Sequence, residues 1–331
     1  MIITRTPFRI SFFGGGTDYP GWFRECGGSV LATTIDKYCY ISCRHLPPFF
    51  EHKHRVVYSR IENVNHIDEI EHPAVRAVLN WEKVEQGIEI HHDGDLPARS
   101  GLGSSSSFTV GLLHALRALN GKMVSKGSLA LEAIHIEQNV IGENVGSQDQ
   151  VSAAHGGFNR IDFNRDDTYD VVPVVLPTGR REELHDHLML CFTGVSRIAS
   201  EVAKSQIDNL KTREKELTFM RAMVDEAIVI LQNVNEPIES FGKLIDANWQ
   251  YKRRLSDRVS TPRIESIYQA AMDAGAIGGK ILGAGGGGFL LLFAKPERQA
   301  AIRQRLSTLI HVPFNFEDSG SRVVLYQPTG L

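Results

Sequence analysis

The chain has 331 residues, about twice a common single-domain length, which favours two domains with one large domain as the alternative. Its 42% hydrophobic and 23% charged residues suit a packed core, and 36 Lys and Arg against 39 Asp and Glu leave a formal charge of −3. That balance argues against nucleic acid as the main partner, because no basic excess exists to displace phosphate counterions. The longest apolar run, FLLLFA at 289–294, falls far short of the roughly 20 residues a membrane helix needs. Four cysteines with no C-x-x-C spacing argue against a disulfide framework or a metal site, and Cys39 and Cys43 read as buried thiols on a strand. No apolar signal segment opens the chain, so a cytoplasmic location is expected.

In chain order, 30–45 and 87–93 are rich in β-branched and aromatic residues and read as strands. A helix is expected over 105–121, where Phe108, Leu112, Leu116 and Leu119 share a face and Gly121 closes the element. A second follows over 128–142, with Leu129, Ala133, Ile136 and Val140 on one side. A long, partly charged helical stretch runs from 198 to 232, bent or broken around 209–216. A shorter helix over 263–275 ends at Gly275, where a left-handed cap is expected, and a glycine-rich loop leads into the strand at 289–294. No fixed-period repeat is visible, which removes solenoid architectures. The composition shifts near 185–197, giving an α+β protein with domains at 1–190 and 191–331.

Three segments concentrate glycine: GGGTD at 14–18, PARSGLGSSSS at 97–107, and 275–288, which holds eight of the 30 glycines. The middle one joins a strand to a helix start. There the unpaired N–H groups and the positive end of the helix dipole make an anion site, and Gly101 and Gly103 let the backbone close on it. An ordinary capped helix start with small residues for packing is the bland alternative, but two glycines and four serines together favour phosphate. Neither common phosphate motif fits: no G-K-[ST] follows, and Ser106 stands where a dinucleotide fingerprint needs its third glycine.

PARSGLGSSSS resembles the nucleotide-phosphate loop of the GHMP kinases (galacto-, homoserine, mevalonate and phosphomevalonate kinases). RTPFRISFFGGGTDYP at 5–20 is similar to that family's first motif and KILGAGGGGFLLLF at 280–293 to its third, in the same order along the chain. The resemblance implies a two-domain fold with ATP and an alcohol substrate meeting in the cleft between domains. It places Pro97, Ser100, Gly101, Leu102, Gly103, Ser104, Ser105, Ser106 and Ser107 around the nucleotide.

Phosphoryl transfer to an alcohol needs the polyphosphate held in line, a cation against its charge, and a group to orient the hydroxyl. Glu137 lies within an apolar helical stripe with Ala130, Ile134 and Ile141, a costly place for a carboxylate unless it is paired, metal-bound or at the rim. The resemblance favours a Mg²⁺ ligand, with a hydroxyl from Ser105 as the second oxygen. Asp149, in the loop 142–150, is by residue type a turn or cap residue. The run GSQDQ resembles the galactokinase version of the family's catalytic segment, which implies that Asp149 orients the acceptor hydroxyl and accepts its proton. Arg9 stands where the family carries a Lys or Arg that bridges this aspartate and the transferring phosphoryl.

For the acceptor, Gly15, Gly16, Thr17 and Asp18 fall in the stretch that resembles the galactokinase sugar site, with Gly15 and Gly16 in place of its Glu and His. Gly285 and Gly286 belong to a third loop expected to fold over the site. FRISFFGGGTDYPGWF and FTGVSRIASEVAKSQI (192–207) look more like bacterial D-glycero-D-manno-heptose 7-phosphate kinases, which make the 1,7-bisphosphate. A sugar phosphate needs a second basic anchor, for which Arg197 is the candidate and Lys204 a weaker one. Rival readings are a kinase for fucose, galactose or a similar sugar, a non-catalytic nucleotide or sugar sensor, and a nicotinamide-dependent dehydrogenase. The paired histidines (52/54, 91/92, 185/187) lack the spacing of a helical metal pair.

Overall fold

The computed structural model describes residues 1–98, 100–194 and 199–328. Arg197 therefore lies outside the described residues. The N-terminal half supplies β1 (Ile2–Phe13), β2 (Gly28–His45), β3 (His54–Val57), β4 (Ile61–Val64), β5 (Ile88–Gly94), β6 (Phe158–Phe163) and β7 (Tyr169–Pro173). Later come β8 (Leu188–Phe192), β9 (Gly278–Ile281), β10 (Phe289–Phe293), β11 (Ile310–Val312), β12 (Phe316–Glu317) and β13 (Arg322–Tyr326). A nine-stranded sheet runs in the order β13-β1-β2-β5-β3-β4, with β6 and β12 also on β2 and β7 on β6. The second sheet has four strands in the order β11-β8-β10-β9. A division at 190/191 would cut β8 and part β12 and β13 from the sheet they complete, so the two sheets are not successive in sequence.

The helices are α1 (Pro20–Cys26), α2 (Pro73–Trp81), α3 (Ser104–Leu119), α4 (Lys126–His135), α5 (Gln148–His155) and α6 (Arg180–Asp186). They continue with α7 (Ala199–Ile207), α8 (Glu214–Gln232), α9 (Glu239–Arg253), α10 (Pro262–Asp273) and α11 (Pro296–Arg305). In α3 the expected stripe of Phe108, Leu112, Leu116 and Leu119 is buried. The helix lies on β1, where the Thr4 hydroxyl donates to the Gly111 carbonyl and the Ser107 hydroxyl to the Pro7 carbonyl, each at 2.9 Å. The long stretch after 198 does break, into α7, a 3₁₀ turn at Leu210–Arg213, and α8. Gly275 has the positive φ expected after α10, at +108°.

Two expectations change. The helix over 128–142 is α-helical only through His135, and Ile136–Ile141 widens into a π-helix closed by left-handed Gly142. Asp149 stands in the first turn of α5 and not in a loop.

β1 runs between α3 and α5 on one side and α8 and α9 on the other, so its second half is buried on both faces. Where it ends, Phe12 and Phe13 meet Phe241 of α9 at ring-centroid distances of 5.6 and 5.2 Å, and Phe241 meets Phe293 of β10 at 6.3 Å. This aromatic file packs the end of β1 in the first sheet, through α9, against β10 of the second.

Across the cleft floor the glycine loops touch backbone to backbone. A Cβ on Gly101 would lie 2.5 Å from the Leu282 carbonyl oxygen, and one on Gly288 only 2.1 Å from that of Ser100. Both glycines also have positive φ, at +87° and +85°. Gly121 has positive φ as well, at +66°, but nothing within 4 Å. Gly121→Ala should therefore cost only the backbone strain, about 1 kcal/mol. Gly288→Ala adds a backbone collision and should lower the melting temperature several times as far. Equal losses in a thermal melt of the two variants would show that the loops do not depend on this contact.

Candidate functional site

The glycine loops, the start of α3 and the start of α5 enclose a cleft of about 200 Å³ whose lining includes Arg9, Gly101, Ser105, Asp149, Lys252 and Lys280. A larger open groove of about 1090 Å³ lies beside Lys126, His155 and Tyr169 and is lined by none of the glycine-loop residues singled out above.

The mouth of α3 is built to accept an anion. Its N-cap is Gly103, held left-handed at φ +76°, and no side chain caps the first turn. A glycine at this position offers no side-chain oxygen of the kind a serine or aspartate N-cap would supply. Gly101, Gly103, Ser104, Ser105 and Ser106 line the cleft. The other expected phosphate residues do not: Pro97 is exposed outside it, Ser100 and Leu102 are buried beneath the loop, and Ser107 is occupied with Pro7.

At the centre, Arg9 grips Asp149 bidentately, Nε donating to Oδ1 at 2.8 Å and Nη2 to Oδ2 at 2.9 Å. Its Nη1 donates to the Gly101 carbonyl at 2.7 Å, and its backbone N–H to the Leu102 carbonyl at 3.0 Å. Arg9 is only 3% exposed, whereas the Asp149 side chain keeps 27% of its surface open to the cleft. The guanidinium thus locks the carboxylate's orientation while leaving it reachable.

Glu137 is 1% exposed and projects from the π-helical turn to the back of α3. The hydroxyl that meets it is that of Ser106, which donates to Oε2 at 2.9 Å, and not that of Ser105, which is exposed at the cleft mouth. Gln150 also donates to Oε2, while Oε1 has no hydrogen-bond partner among the described residues. Burial pushes the carboxyl up to about 7 against the neighbouring hydroxyls and amide. A buried carboxylate oxygen without a partner, beside serine hydroxyls at an anion-ready helix mouth, fits a hard divalent cation.

The first glycine segment divides. Gly15, Gly16 and Asp18 line the cleft. Asp18 takes the Gly16 N–H at 2.9 Å and the Gln148 N–H at 3.3 Å, so its carboxyl positions the loop entering α5. Burial, followed by the charge of Asp149, raises its pKa above the usual carboxylate range. Thr17, expected at the acceptor, does not reach the cleft: it is fully buried, and its hydroxyl bonds Gly14 and Ser29. Gly285 and Gly286 also lie off the cleft, packed on Val259, and the neighbouring Gly283 and Ala284 line it instead.

Two cleft residues were missed in the sequence. Lys252 of α9 and Lys280 of β9 are 4% and 2% exposed. Lys252 Nζ donates to the Ile281 and Gly283 carbonyls and Lys280 Nζ to the Phe12 carbonyl at 2.7 Å. Burial, then the nearby Arg9, pushes Lys252 down to about 7. Lys280 falls well below the usual lysine range through burial, Lys252 and Arg9.

Comparison with known proteins identifies the type of fold and chemistry. The models for the GHMP kinases N terminal domain and the GHMP kinases C terminal domain match residues 69–157 and 230–311. The chain is 30% identical over 310 residues to a D-glycero-alpha-D-manno-heptose 7-phosphate kinase of Campylobacter jejuni, covering 90% of this chain and 91% of the relative. It is 26% identical over 337 residues to a galactokinase of Pyrococcus furiosus, covering 91% of each. Among solved structures, a D-glycero-D-manno-heptose 1-phosphate kinase from Bacteroides thetaiotaomicron superposes with a TM-score of 0.79 over 98% of both chains at 22% identity.

Because folding raises the Glu137 pKa from about 4.5 to about 7, the native state holds this proton more tightly than the unfolded chain. That contribution to stability is complete below about pH 4.5 and is lost as pH rises through 7. Glu137→Gln removes the loss. In magnesium-free urea denaturation its stability relative to the parent should climb between pH 5 and pH 8, by on the order of 3 kcal/mol at most. A pH-independent difference would mean that the carboxyl is not desolvated.

Proposed function

The chain belongs to the GHMP kinase family and is a phosphotransferase with an alcohol group as acceptor, and we propose that it transfers the γ-phosphoryl of ATP to the anomeric hydroxyl of D-glycero-D-manno-heptose 7-phosphate. The observation that carries the chemistry is the Arg9–Asp149 pair set beside an uncapped, serine-rich helix mouth in one cleft. In this reading the α3 mouth, with Gly101, Gly103 and Ser104–Ser106, receives the polyphosphate. Glu137 with Ser106 would hold Mg²⁺, which would supply charge neutralisation on the phosphates.

Asp149, its orientation locked by Arg9, accepts a hydrogen bond from the acceptor hydroxyl and takes its proton as the new O–P bond forms. The electron pair of the breaking P–O bond leaves with ADP. Arg9 holds the Asp149 carboxylate in place and lies on the path of the phosphoryl group.

The heptose acceptor is supported by the Campylobacter relative and by the bare Gly15 and Gly16 where galactokinase-like side chains would stand. Arg197 remains the proposed anchor for the sugar's own phosphate. Galactose and fucose are the rival acceptors, favoured by the galactokinase and fucokinase relatives.

ADP release measured across heptose 7-phosphate, the unphosphorylated heptose, galactose and fucose should give the highest kcat/KM with the sugar phosphate. Turnover confined to unphosphorylated sugars would overturn that acceptor. Asp149→Asn should keep nucleotide affinity within about threefold and lower kcat by roughly 10²–10⁴-fold; a fully active variant would remove Asp149 from the mechanism.

A further inference from the structure

We propose that Lys252 and Lys280 form a cationic seat for the phosphoryl group in flight, meeting the terminal phosphate of the bound nucleotide opposite the serine-rich mouth of α3. The inference rests on the kinase reading above and adds two catalytic residues to it.

The first support is placement. Both side chains line the cleft although both are almost wholly buried. Lys252 Nζ is held by the carbonyls of Ile281 and Gly283. Gly283 packs directly on Gly101, where its Cβ would lie 2.5 Å from the Gly101 Cα. The Gly101 carbonyl is in turn held by Arg9. Lys252 and Arg9 therefore flank the same Gly101–Gly283 contact. Lys280 approaches from β9 and is fastened to the Phe12 carbonyl, at the end of the strand that carries Arg9.

The second support is charge. Among the described residues, neither ammonium is in an ion pair; their hydrogen bonds go to backbone carbonyls. The charged groups around Lys252 are Arg9, Lys280, Asp18 and Asp149. Asp149 is already committed to Arg9, and Asp18 to backbone N–H groups. Three buried basic groups, Arg9, Lys252 and Lys280, thus share two carboxylates, and burial first, then mutual repulsion, lowers the proton affinity of both lysines. A phosphate chain supplies the missing negative charge. In a loose phosphoryl-transfer transition state charge spreads over the equatorial oxygens, where fixed ammonium donors act most strongly. The competing structural role, tethering carbonyls of the glycine loop, predicts no preference among ligands.

The test is calorimetric titration of a non-hydrolysable ATP analogue and of ADP, both with magnesium and without sugar, into the parent protein, Lys252→Met and Lys252→Arg. In Lys252→Met the analogue should lose at least about tenfold in affinity while ADP changes by less than about threefold. Its kcat should fall by roughly 10²-fold, with partial recovery in Lys252→Arg. Equal weakening of both nucleotides would mean a merely structural lysine and overturn the proposal. So would unchanged nucleotide affinities with a raised KM for the sugar phosphate, which would give these cations to the acceptor. Should Lys252→Met melt below the assay temperature, Lys280→Met carries the same comparison. If the parent protein failed to bind the analogue at all, the kinase reading itself would fall, and this inference with it.

Discussion

The Arg9 guanidinium is the point through which the rest of the cleft is fixed. One side chain holds the Asp149 carboxylate with two parallel hydrogen bonds and the Gly101 carbonyl with a third. It thereby fastens β1, α5 and the phosphate loop to each other. Since Arg9 is nearly inaccessible to water, loss of its partner would leave a buried, uncompensated charge, an outcome costing about 3–5 kcal/mol in comparable sites. The geometry of the reacting end is thus protected by the same force that makes it expensive to build.

Around that point, backbone replaces side chain wherever loops must approach. Gly101 meets Leu282 and Gly283, Gly288 meets Ser100, and Gly146 leaves a space that the Asp18 carboxylate fills, where a Cβ would fall 1.9 Å from Oδ2. The third glycine loop is consequently not a lid of free chain. It is wedged against the phosphate loop at 97–107, and the strand that follows continues the contact as Phe289 N–H donates to the Ser100 carbonyl at 3.0 Å. Aromatic packing through Phe12, Phe13, Phe241 and Phe293 supplies the rigid wall behind it.

Much of this was legible in the sequence because glycine and helix periodicity report local requirements directly. The α3 stripe, the break near 210 and the α+β, GHMP-type fold follow from residues whose reasons are close in sequence. Long-range reasons were not legible. Thr17 reads as a binding hydroxyl until the fold brings Ser29 against it. Asp149 sits among turn-forming residues, yet α5 begins one residue before it. Lys252 lies in the run YKRR (251–254), and nothing local says which of three adjacent cations turns inward while Arg254 faces solvent. Lys280 is on a four-residue strand buried along its whole length, so alternation gives no warning of a charge in the interior.

Burial also sets the charge states of the cleft's ionisable groups. Desolvation drives Glu137 and Asp18 toward their protonated forms and Lys252 and Lys280 toward their neutral ones. Each group is displaced from the charge state in which it would bind a ligand ion. A polyanion with its divalent cation, as proposed, would reverse both displacements together: the cation would favour ionised Glu137, and the phosphates the ammonium forms. Neither ion alone does so, because either would be left facing like charge on the opposite wall. In the proposed reading, the buried charges would therefore favour metal and nucleotide bound together over either alone.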